Sequence, residues 1–238
     1  MNAAHDRLPN LRCFDLDGCV TDSAAAIADG MRHALDVLGR PMLTAEQLRA
    51  AIGPPLRTTF AAVVRAAGHD PNAGPGAEML DAAVTAYRTR YEQVGFDLTR
   101  PVEGMVALLE RLRTSGVGTT VLVTAKPTAV AEPLLRHLGL AGMFDAVYGA
   151  PMGPDVEEKR ITLARALRRH AAPPQDAIMI GDRSHDVLAG RSCGTRTVGV
   201  LWGAGDRTEL EQAGADLIVA HPDELAPLLV SSGSSADR

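Results

Sequence analysis

The second half of this chain alternates between short apolar runs and helical stretches, and this alternation constrains the fold more than any other feature. The apolar, β-rich runs predict strands at residues 119–123, 144–148, 177–180, 197–201 and 217–219. Helical periodicity and helix-ending glycines predict helices at residues 105–113, 129–138, 161–169, 186–192 and 223–230. Alternating units of this kind form a parallel sheet that is covered by helices on both faces. The chain is therefore predicted to be an α/β protein.

An acidic motif follows a further apolar run near the amino terminus. Residues 11–14 suit a short buried strand, and Asp15, Asp17 and Gly18 come directly after it. Alternation along a strand sends both carboxylates to the same side, and glycine lets the backbone turn sharply behind them. Two like charges about 4 Å apart repel by about 4 kcal/mol at an effective dielectric near 20, so such a pair needs a cation nearby. The alternative is an acidic strand end that faces solvent or caps a helix.

The segment between these two parts, residues 23–99, carries helical patterns and no strand pattern. Thr44 and Gln47 have the spacing of a capping box at a helix start. Apolar spacing predicts helices at residues 27–38, 56–67 and 78–94. The expected parts are an α/β core of residues 1–22 and 100–230, an inserted helical domain of residues 23–99, and a disordered tail of residues 231–238.

The parallel sheet gives a rule for locating the site, because ligands bind at the carboxyl ends of the strands. The polar residues that follow or flank predicted strands are Asp15, Asp17, Thr124, Lys159, Asp182 and Asp186. Each has an ordinary alternative: Thr124 as a helix cap, Lys159 as a solvated charge, and Asp182 as part of a tight turn. Neither the G-x-G-x-x-G fingerprint nor the P-loop pattern of nucleotide sites occurs in the sequence.

Composition excludes several classes of function. A net charge of −5 and an aromatic content of 3% argue against a nucleic-acid-binding surface, a base-stacking platform or an anionic membrane surface. The three cysteines have no C-x-x-C spacing and predict reduced thiols, not a disulfide framework or a zinc site. No signal-peptide pattern and no window of ~20 apolar residues occurs, so we expect a cytoplasmic protein with no membrane partner.

Four stretches of the sequence resemble the four motifs of the haloacid dehalogenase-like hydrolase superfamily. They are FDLDGCVTDS, VTAK, Lys159 and GDRSHD, in that order, and the resemblance to the superfamily covers nearly the whole chain. The resemblance implies a Rossmann-like core, and residues 23–99 look like the superfamily's helical cap of the first type. Within the superfamily, IGPPLRTTF, GDRSHDVLAG and VGVLWGAG resemble the branch of phosphoglycolate phosphatases and 5′-nucleotidase-like enzymes.

The resemblance implies a role for each residue of a phosphoryl-transfer site. Asp15 would be the nucleophile that becomes an aspartyl phosphate, and Asp17 the general acid and base. Thr124 would hold phosphoryl oxygens, and Lys159 would add a fixed positive charge. The cofactor would be Mg²⁺, held by Asp15, the backbone carbonyl of Asp17, Asp182 and, close by, Asp186.

The implied substrate is a small phosphorylated metabolite. Substrate-binding candidates are Gly18, Ala125, Lys126 and, in the cap, Arg57, with Arg88, Arg90 and Tyr91 as further cap candidates. For any of these arginines the alternative is a plain surface residue. We expect a monomer or a homodimer. Cys19 stands where most relatives carry threonine, and a catalytic thiol is the sharper alternative reading of that residue.

Asp17 favours phosphate chemistry over dehalogenation, because a halide leaves without protonation.

Two functions other than a phosphatase stay open. A phosphomutase of the same fold needs cap groups that turn the substrate over, and residues 23–99 contain no lysine. A phosphate-responsive regulatory or interaction protein, including one that acts on a protein phosphotyrosine, is the third possibility.

Overall fold

A six-stranded parallel sheet lies at the centre of the computed structural model, which describes residues 8–153 and 156–230. The strands are β1 (Leu11–Phe14), β2 (Thr21–Asp22), β3 (Arg100–Pro101), β4 (Thr119–Pro127), β5 (Ala146–Ala150), β6 (Ala177–Gly181), β7 (Arg196–Val200) and β8 (Leu217–Val219). The central sheet has the order β5-β4-β1-β6-β7-β8, and all its neighbouring strands pair in parallel. The predicted α/β fold with a parallel sheet is confirmed. This order places β1 between β4 and β6.

Helices cover both faces of this sheet and form the inserted segment. They are α1 (Ala24–Val37), α2 (Ala45–Ala51), α3 (Leu56–Ala66), α4 (Gly74–Arg90), α5 (Met105–Ser115), α6 (Thr128–His137), α7 (Lys159–Arg169), α8 (Ser184–Cys193), α9 (Arg207–Ala213) and α10 (Ala226–Leu229). Within the described part of the chain, none of them is long and apolar enough to cross a bilayer.

The alternation of side chains along β1 explains why helices pack on both faces. Phe14 faces a cluster that includes Leu109 of α5 and Leu134 of α6. Cys13 faces a second cluster, which includes Leu163 of α7. All four residues of β1 are buried, so the strand is enclosed from both sides and its carboxyl end is the part that opens to a site.

The helical insert, residues 23–99, has a hydrophobic cluster of its own. Buried side chains of α1, α3 and α4 meet there, among them Met31, Phe60 and Leu80. The antiparallel pair β2–β3 joins the two chain segments where the insert leaves and re-enters the α/β part. These contacts agree with the expected division at residues 23 and 99, but the independence of the two parts remains a prediction. The predicted disordered tail, residues 231–238, lies outside the described residues.

Several predicted boundaries differ from the observed ones for local reasons. Helix α4 begins at Gly74, four residues before the predicted start at residue 78, and gives way to a π-helical turn at Tyr91–Gly95. The final helix is divided into a 3₁₀ turn, Pro222–Leu225, and the short α10. Helix α9 was not predicted, although Asp206 caps it by accepting a hydrogen bond from the backbone N–H of Glu209 at 2.8 Å. A seven-residue helix is too short for periodicity to reveal.

Candidate active site

The predicted site residues meet at the carboxyl end of the central strands. Asp15 follows β1, and its backbone N–H donates to the carbonyl of Ile180 in β6 at 2.9 Å. Thr124 lies in β4 next to β1, and Asp182 follows β6 on the other side. The side chains of Asp15, Thr124 and Asp182 are all buried, as are Lys159 and Asp186. The residues that the strand-end rule selected therefore lie together, and their roles stay a prediction.

Lys159 carries the positive charge of this cluster. Its Nζ lies 2.8 Å from Oδ1 of Asp15 and 2.5 Å from Oδ1 of Asp186. Burial lowers the pKa of Lys159, but the two carboxylates raise it further, so the side chain stays an ammonium. Only 7% of Lys159 is exposed, and the alternative of a solvated charge is therefore wrong.

Three carboxylates form an oxygen-lined cluster that could hold a cation. Oxygens of Asp15, Asp182 and Asp186 all lie within 4.8 Å of one another. Burial, opposed by Lys159 and reinforced by Asp186, raises the pKa of Asp15 to about 7. Burial and then the charges of Asp186 and Asp15 raise the pKa of Asp182 to about 8. One lysine does not offset three buried carboxylates, and a hard divalent cation suits an all-oxygen set.

Two glycine backbones pack closely against the Asp182 carboxylate. A Cβ at Gly18 would lie 2.3 Å from Oδ2 of Asp182, and one at Gly203 would lie 2.2 Å from the same oxygen. That oxygen accepts a hydrogen bond from the backbone N–H of Ala204 at 2.7 Å. The other oxygen, Oδ1, is buried and has no hydrogen-bond partner within residues 8–153 and 156–230. A bound Mg²⁺ would satisfy it, so the residues present fit this ion.

The loop that carries Gly203 and Ala204 was missed as part of the site by sequence reasoning. It follows β7, another strand of the parallel sheet, and the motif VGVLWGAG was recognised only as a branch resemblance. Its two glycines, Gly203 and Gly205, a few residues after the end of β7 were the available signal, because they permit close approach of the backbone to a ligand or a side chain.

The carboxylate of Asp17 contacts a different lysine from the carboxylate of Asp15. Its Oδ2 lies 3.2 Å from Nζ of Lys126, which also contacts the phenolic oxygen of Tyr91 at 2.8 Å. The Asp17 carboxylate is not a member of the three-carboxylate cluster. This agrees with the expectation that Asp17 would offer a metal ion its backbone carbonyl, which stays a prediction.

The segment Thr124, Ala125 and Lys126 lies at an irregularity in the sheet. The pairing of β4 with β5 shifts in register between Val123 and Pro127. Bulges next to active sites re-aim side chains in this way. Thr124 does not cap the following helix, because α6 begins at Thr128 with Pro127 before it. Instead, its Oγ1 accepts a hydrogen bond from the backbone N–H of Lys126 at 3.1 Å.

A cleft extends from this cluster to the helical insert. Asp15, Asp17 and the 124–126 segment lie on the core side of the cleft. The insert side is mostly apolar, with Ile27, Met31, Pro54, Pro55, Leu56, Tyr87 and Tyr91 and the charged Arg57, Arg88 and Glu92. Arg57 is ion-paired with Asp81 at 2.6 Å, and Arg90 with Asp29 at 2.6 Å. Arg88 pairs with no carboxylate among residues 8–153 and 156–230.

Cys19 is a packing residue next to the site. Its side chain is fully buried, and its Sγ lies 3.6 Å from the carbonyl of Ile180. Burial, reinforced by the carboxylates of Asp15, Asp182 and Asp186, raises the pKa of the thiol. A thiolate nucleophile is therefore disfavoured at this position.

A second contact between insert and core was not anticipated from the sequence. The Arg183 guanidinium donates to the backbone carbonyls of Arg49, at 3.2 Å, and of Ile52. His185 packs against Gly53, where a Cβ would lie 2.7 Å from Nε2 of the imidazole. Burial lowers the pKa of His185 to about 4, so the imidazole is neutral near pH 7. The GDRSHD motif thus serves both the acidic cluster and the insert.

These features define a hydrolase class in which a buried aspartate follows the central strand of a parallel sheet. The sequence pattern of the haloacid dehalogenase-like hydrolases matches residues 13–200. The chain belongs to this family, as its motifs predict, and its enzyme class is that of the family's phosphatases.

Individual relatives extend over most of the chain. The tyrosine-protein kinase PtkA of Mycobacterium tuberculosis is 35% identical over 93% of this chain and 72% of its own. A 5′-nucleotidase of Pseudomonas aeruginosa is 33% identical over 88% of this chain and 90% of its own. The crystal structure of a predicted phosphatase from Clostridium acetobutylicum superposes with a TM-score of 0.83, at 32% identity, over 92% of this chain and 97% of that one.

Proposed function

We propose that this protein is a Mg²⁺-dependent phosphatase that hydrolyses a small phosphomonoester through an aspartyl phosphate on Asp15. The observation that carries the proposal is the position of Asp15. Its carboxylate lies at the end of the central strand, in the cleft, against Lys159 and beside Asp182 and Asp186. A carboxylate so placed can reach a phosphorus atom that enters from the cleft.

The charged residues around Asp15 are suited to the first half of the reaction. Lys159 holds one Asp15 oxygen in place and puts positive charge beside the transferring group. Asp15, Asp182 and the carbonyl of Asp17 would hold Mg²⁺, with Asp186 close by, and the bound ion would offset the repulsion between carboxylate and phosphate. Asp17 would protonate the leaving oxygen and later take a proton from the hydrolytic water.

Thr124 and the backbone around Ala125 would bind the phosphoryl oxygens. The Thr124 hydroxyl already accepts the N–H of Lys126, so its own proton is free to be donated into the cleft. Gly18, at the turn after Asp17, keeps the backbone close to the site without a side chain. Donors of this kind stabilise the equatorial charge of a phosphoryl group in transfer.

Residues 23–99 would act as a cap that closes over the substrate and excludes water. Their mostly apolar cleft lining favours a substrate whose organic part is small and largely apolar. Arg57 would bind an anionic substrate group only by exchanging its partner Asp81. Arg88 lines the same cleft and has no such partner within the described residues, so we now favour Arg88 for that role.

A second candidate function is phosphoryl transfer involving a protein tyrosine. It is favoured by one observation, the 35% identity to a protein named as a tyrosine kinase. The two candidates differ in what is consumed, since a phosphatase needs only a phosphomonoester and water. A kinase would consume a nucleoside triphosphate and leave phosphotyrosine on a protein.

The test is a substrate panel with Mg²⁺, read as release of inorganic phosphate. The panel contains phosphoglycolate, nucleoside monophosphates, sugar phosphates and a phosphotyrosine peptide, and a parallel reaction with ATP is probed for phosphotyrosine. We expect release from at least one small phosphomonoester, and we expect Asp15→Asn to lower it by about 10³-fold or more. The matched control is Asp36→Asn, which alters an exposed aspartate of α1 and should leave the rate unchanged.

Three outcomes would overturn the proposal: no turnover across the panel, full activity in Asp15→Asn, or isomerised sugar phosphate in place of free phosphate. Phosphotyrosine formed from ATP, without phosphatase activity, would favour the second candidate.

A further inference from the structure

The side chain of Lys126 makes three contacts, one with Asp17 and two with Tyr91. Its Nζ lies 3.2 Å from Oδ2 of Asp17 and 2.8 Å from the phenolic oxygen of Tyr91. It also lies 4.2 Å from the centre of the Tyr91 ring, which adds a cation–π contact. Only 8% of the Lys126 side chain is exposed, so water does not compete strongly for the ammonium. Lys159 already supplies positive charge beside Asp15, and the Thr124 hydroxyl lines the same cleft.

The two oxygens of Asp17 differ in a way that matters for proton transfer. Oδ2 is fixed by Lys126. Oδ1 is buried and has no hydrogen-bond partner within residues 8–153 and 156–230. Asp17 lines the same cleft as Asp15. A carboxyl group with one oxygen fixed and the other unpartnered presents a defined atom to the leaving group.

Tyr91 belongs to the helical insert, whereas Asp17 and Lys126 belong to the α/β core. It begins the π-helical turn Tyr91–Gly95 at the end of α4, and such turns are frequent at functional sites. Its ring stacks on Tyr87, with centroids 5.8 Å apart and an interplanar angle of 16°. The phenol is therefore held by the insert and moves with it.

From these contacts we infer that Lys126 is a positioning residue for the general acid Asp17, and that Tyr91 makes this positioning depend on the insert. Lys126 holds Oδ2 and so leaves Oδ1 as the oxygen that exchanges a proton with the leaving group. Tyr91 holds Lys126 only while the insert lies over the core. The inference rests on the proposed phosphatase reaction and replaces the predicted role of Lys126 in binding substrate.

The experiment compares substrates with good and poor leaving groups. A 2,4-dinitrophenolate leaves without protonation, whereas an alkoxide requires a proton from Asp17. The measured quantity is kcat/KM, which covers the steps up to departure of the leaving group. We expect Lys126→Met to lower kcat/KM for an alkyl phosphate by about 10²-fold or more, the usual contribution of general acid catalysis. For 2,4-dinitrophenyl phosphate the loss should stay within about threefold.

Tyr91→Phe is the second variant, because it keeps the ring and removes only the hydroxyl that contacts Lys126. We expect the same selective loss for the alkyl phosphate, but smaller, about tenfold, the lower end of the effect of losing one hydrogen bond to a charged group. Tyr148→Phe is the matched control, since the Tyr148 hydroxyl contacts His170 at 3.0 Å and lies outside the site. It should change neither substrate's kcat/KM.

Equal losses on both substrates, in either variant, would overturn the inference and assign Lys126 to phosphate binding or to folding. An unchanged alkyl phosphate rate in Lys126→Met would overturn it as well. These results are distinct from failure of the proposed function, which would appear as dinitrophenyl phosphate hydrolysis that survives Asp15→Asn.

Discussion

At the scale of single residues, the buried aspartates make the stability of the chain depend on pH. Burial raises the pKa of Asp15 and Asp182 from an ordinary value of 3.8 to about 7 and about 8. Between pH 3.8 and about pH 8, these two carboxyl groups keep protons in the folded chain that they release in the unfolded chain. The unfolded state then binds fewer protons, so the free energy of unfolding falls as pH rises through this window.

Mg²⁺ is expected to reverse this trend, because it binds the ionised carboxylates. Thermal melting with and without millimolar Mg²⁺ should therefore show a small gain in Tm at about pH 5 and a larger one above about pH 8. Asp182→Asn should abolish most of the gain. A gain that is independent of pH, or one that survives in Asp182→Asn, would contradict the assignment of this cluster as the metal site.

At the scale of elements, the turn after β1 depends on a glycine for two reasons. Gly18 has a φ of +84°, and a Cβ there would lie 2.3 Å from Oδ2 of Asp182. Gly39, in the connection after α1, has a φ of +62° and nothing within 4 Å of the corresponding position. The two glycines share a left-handed backbone and differ in what surrounds them.

This difference yields a paired prediction. Gly18→Ala and Gly39→Ala should each cost about 1–2 kcal/mol of backbone strain. Only Gly18→Ala should also displace the Asp182 carboxylate, and we expect it to lower phosphatase activity by about 10²-fold or more and to weaken stabilisation by Mg²⁺. Activity assays and melting curves of both variants check this. Comparable activity in the two variants would show that Asp182 tolerates displacement.

Much of the architecture follows from sequence patterns at this same scale. The strand β8, Leu217–Val219, begins and ends where predicted, and the Thr44–Gln47 capping box at α2 is present with both hydrogen bonds. Such features depend on residues close together in the chain, so local chemistry specifies them. The π turn at Tyr91–Gly95 has no comparable local signature and was not predicted.

The candidate site likewise has one part that the sequence predicts and one part that it does not. The strand-end rule brings Asp15, Thr124 and Asp182 together, because the carboxyl ends of neighbouring parallel strands meet. It gives no information about partners that come from another part of the fold. The pairing of Arg57 with Asp81 and that of Lys126 with Tyr91 depend on how the insert packs. Local sequence patterns do not specify this packing.

At the scale of the whole molecule, two of the polar contacts between the insert and the core come from residues close to the acidic cluster. One attachment is Tyr91 on Lys126. The other is Arg183, which donates to the carbonyls of Arg49 and Ile52 and forms an ion pair with Glu209 at 3.0 Å. Arg183 also donates its backbone N–H to Oδ2 of Asp186 at 3.0 Å. The position of the insert is thus linked to the acidic cluster through a single residue.

Arg183→Met should release this second attachment and leave the fold intact. A hydrogen bond from a charged donor contributes roughly 1.5–3 kcal/mol, and 1.4 kcal/mol is tenfold in an equilibrium. We therefore expect KM to rise by about tenfold and the amides of α2 to exchange with solvent about tenfold faster. The matched control is Arg191→Met in α8, the helix that follows Arg183, where the guanidinium donates at 2.9 Å to the carbonyl of Gly214 within the core. If Arg183→Met and Arg191→Met behave alike in hydrogen exchange and in KM, Arg183 does not hold the insert over the site.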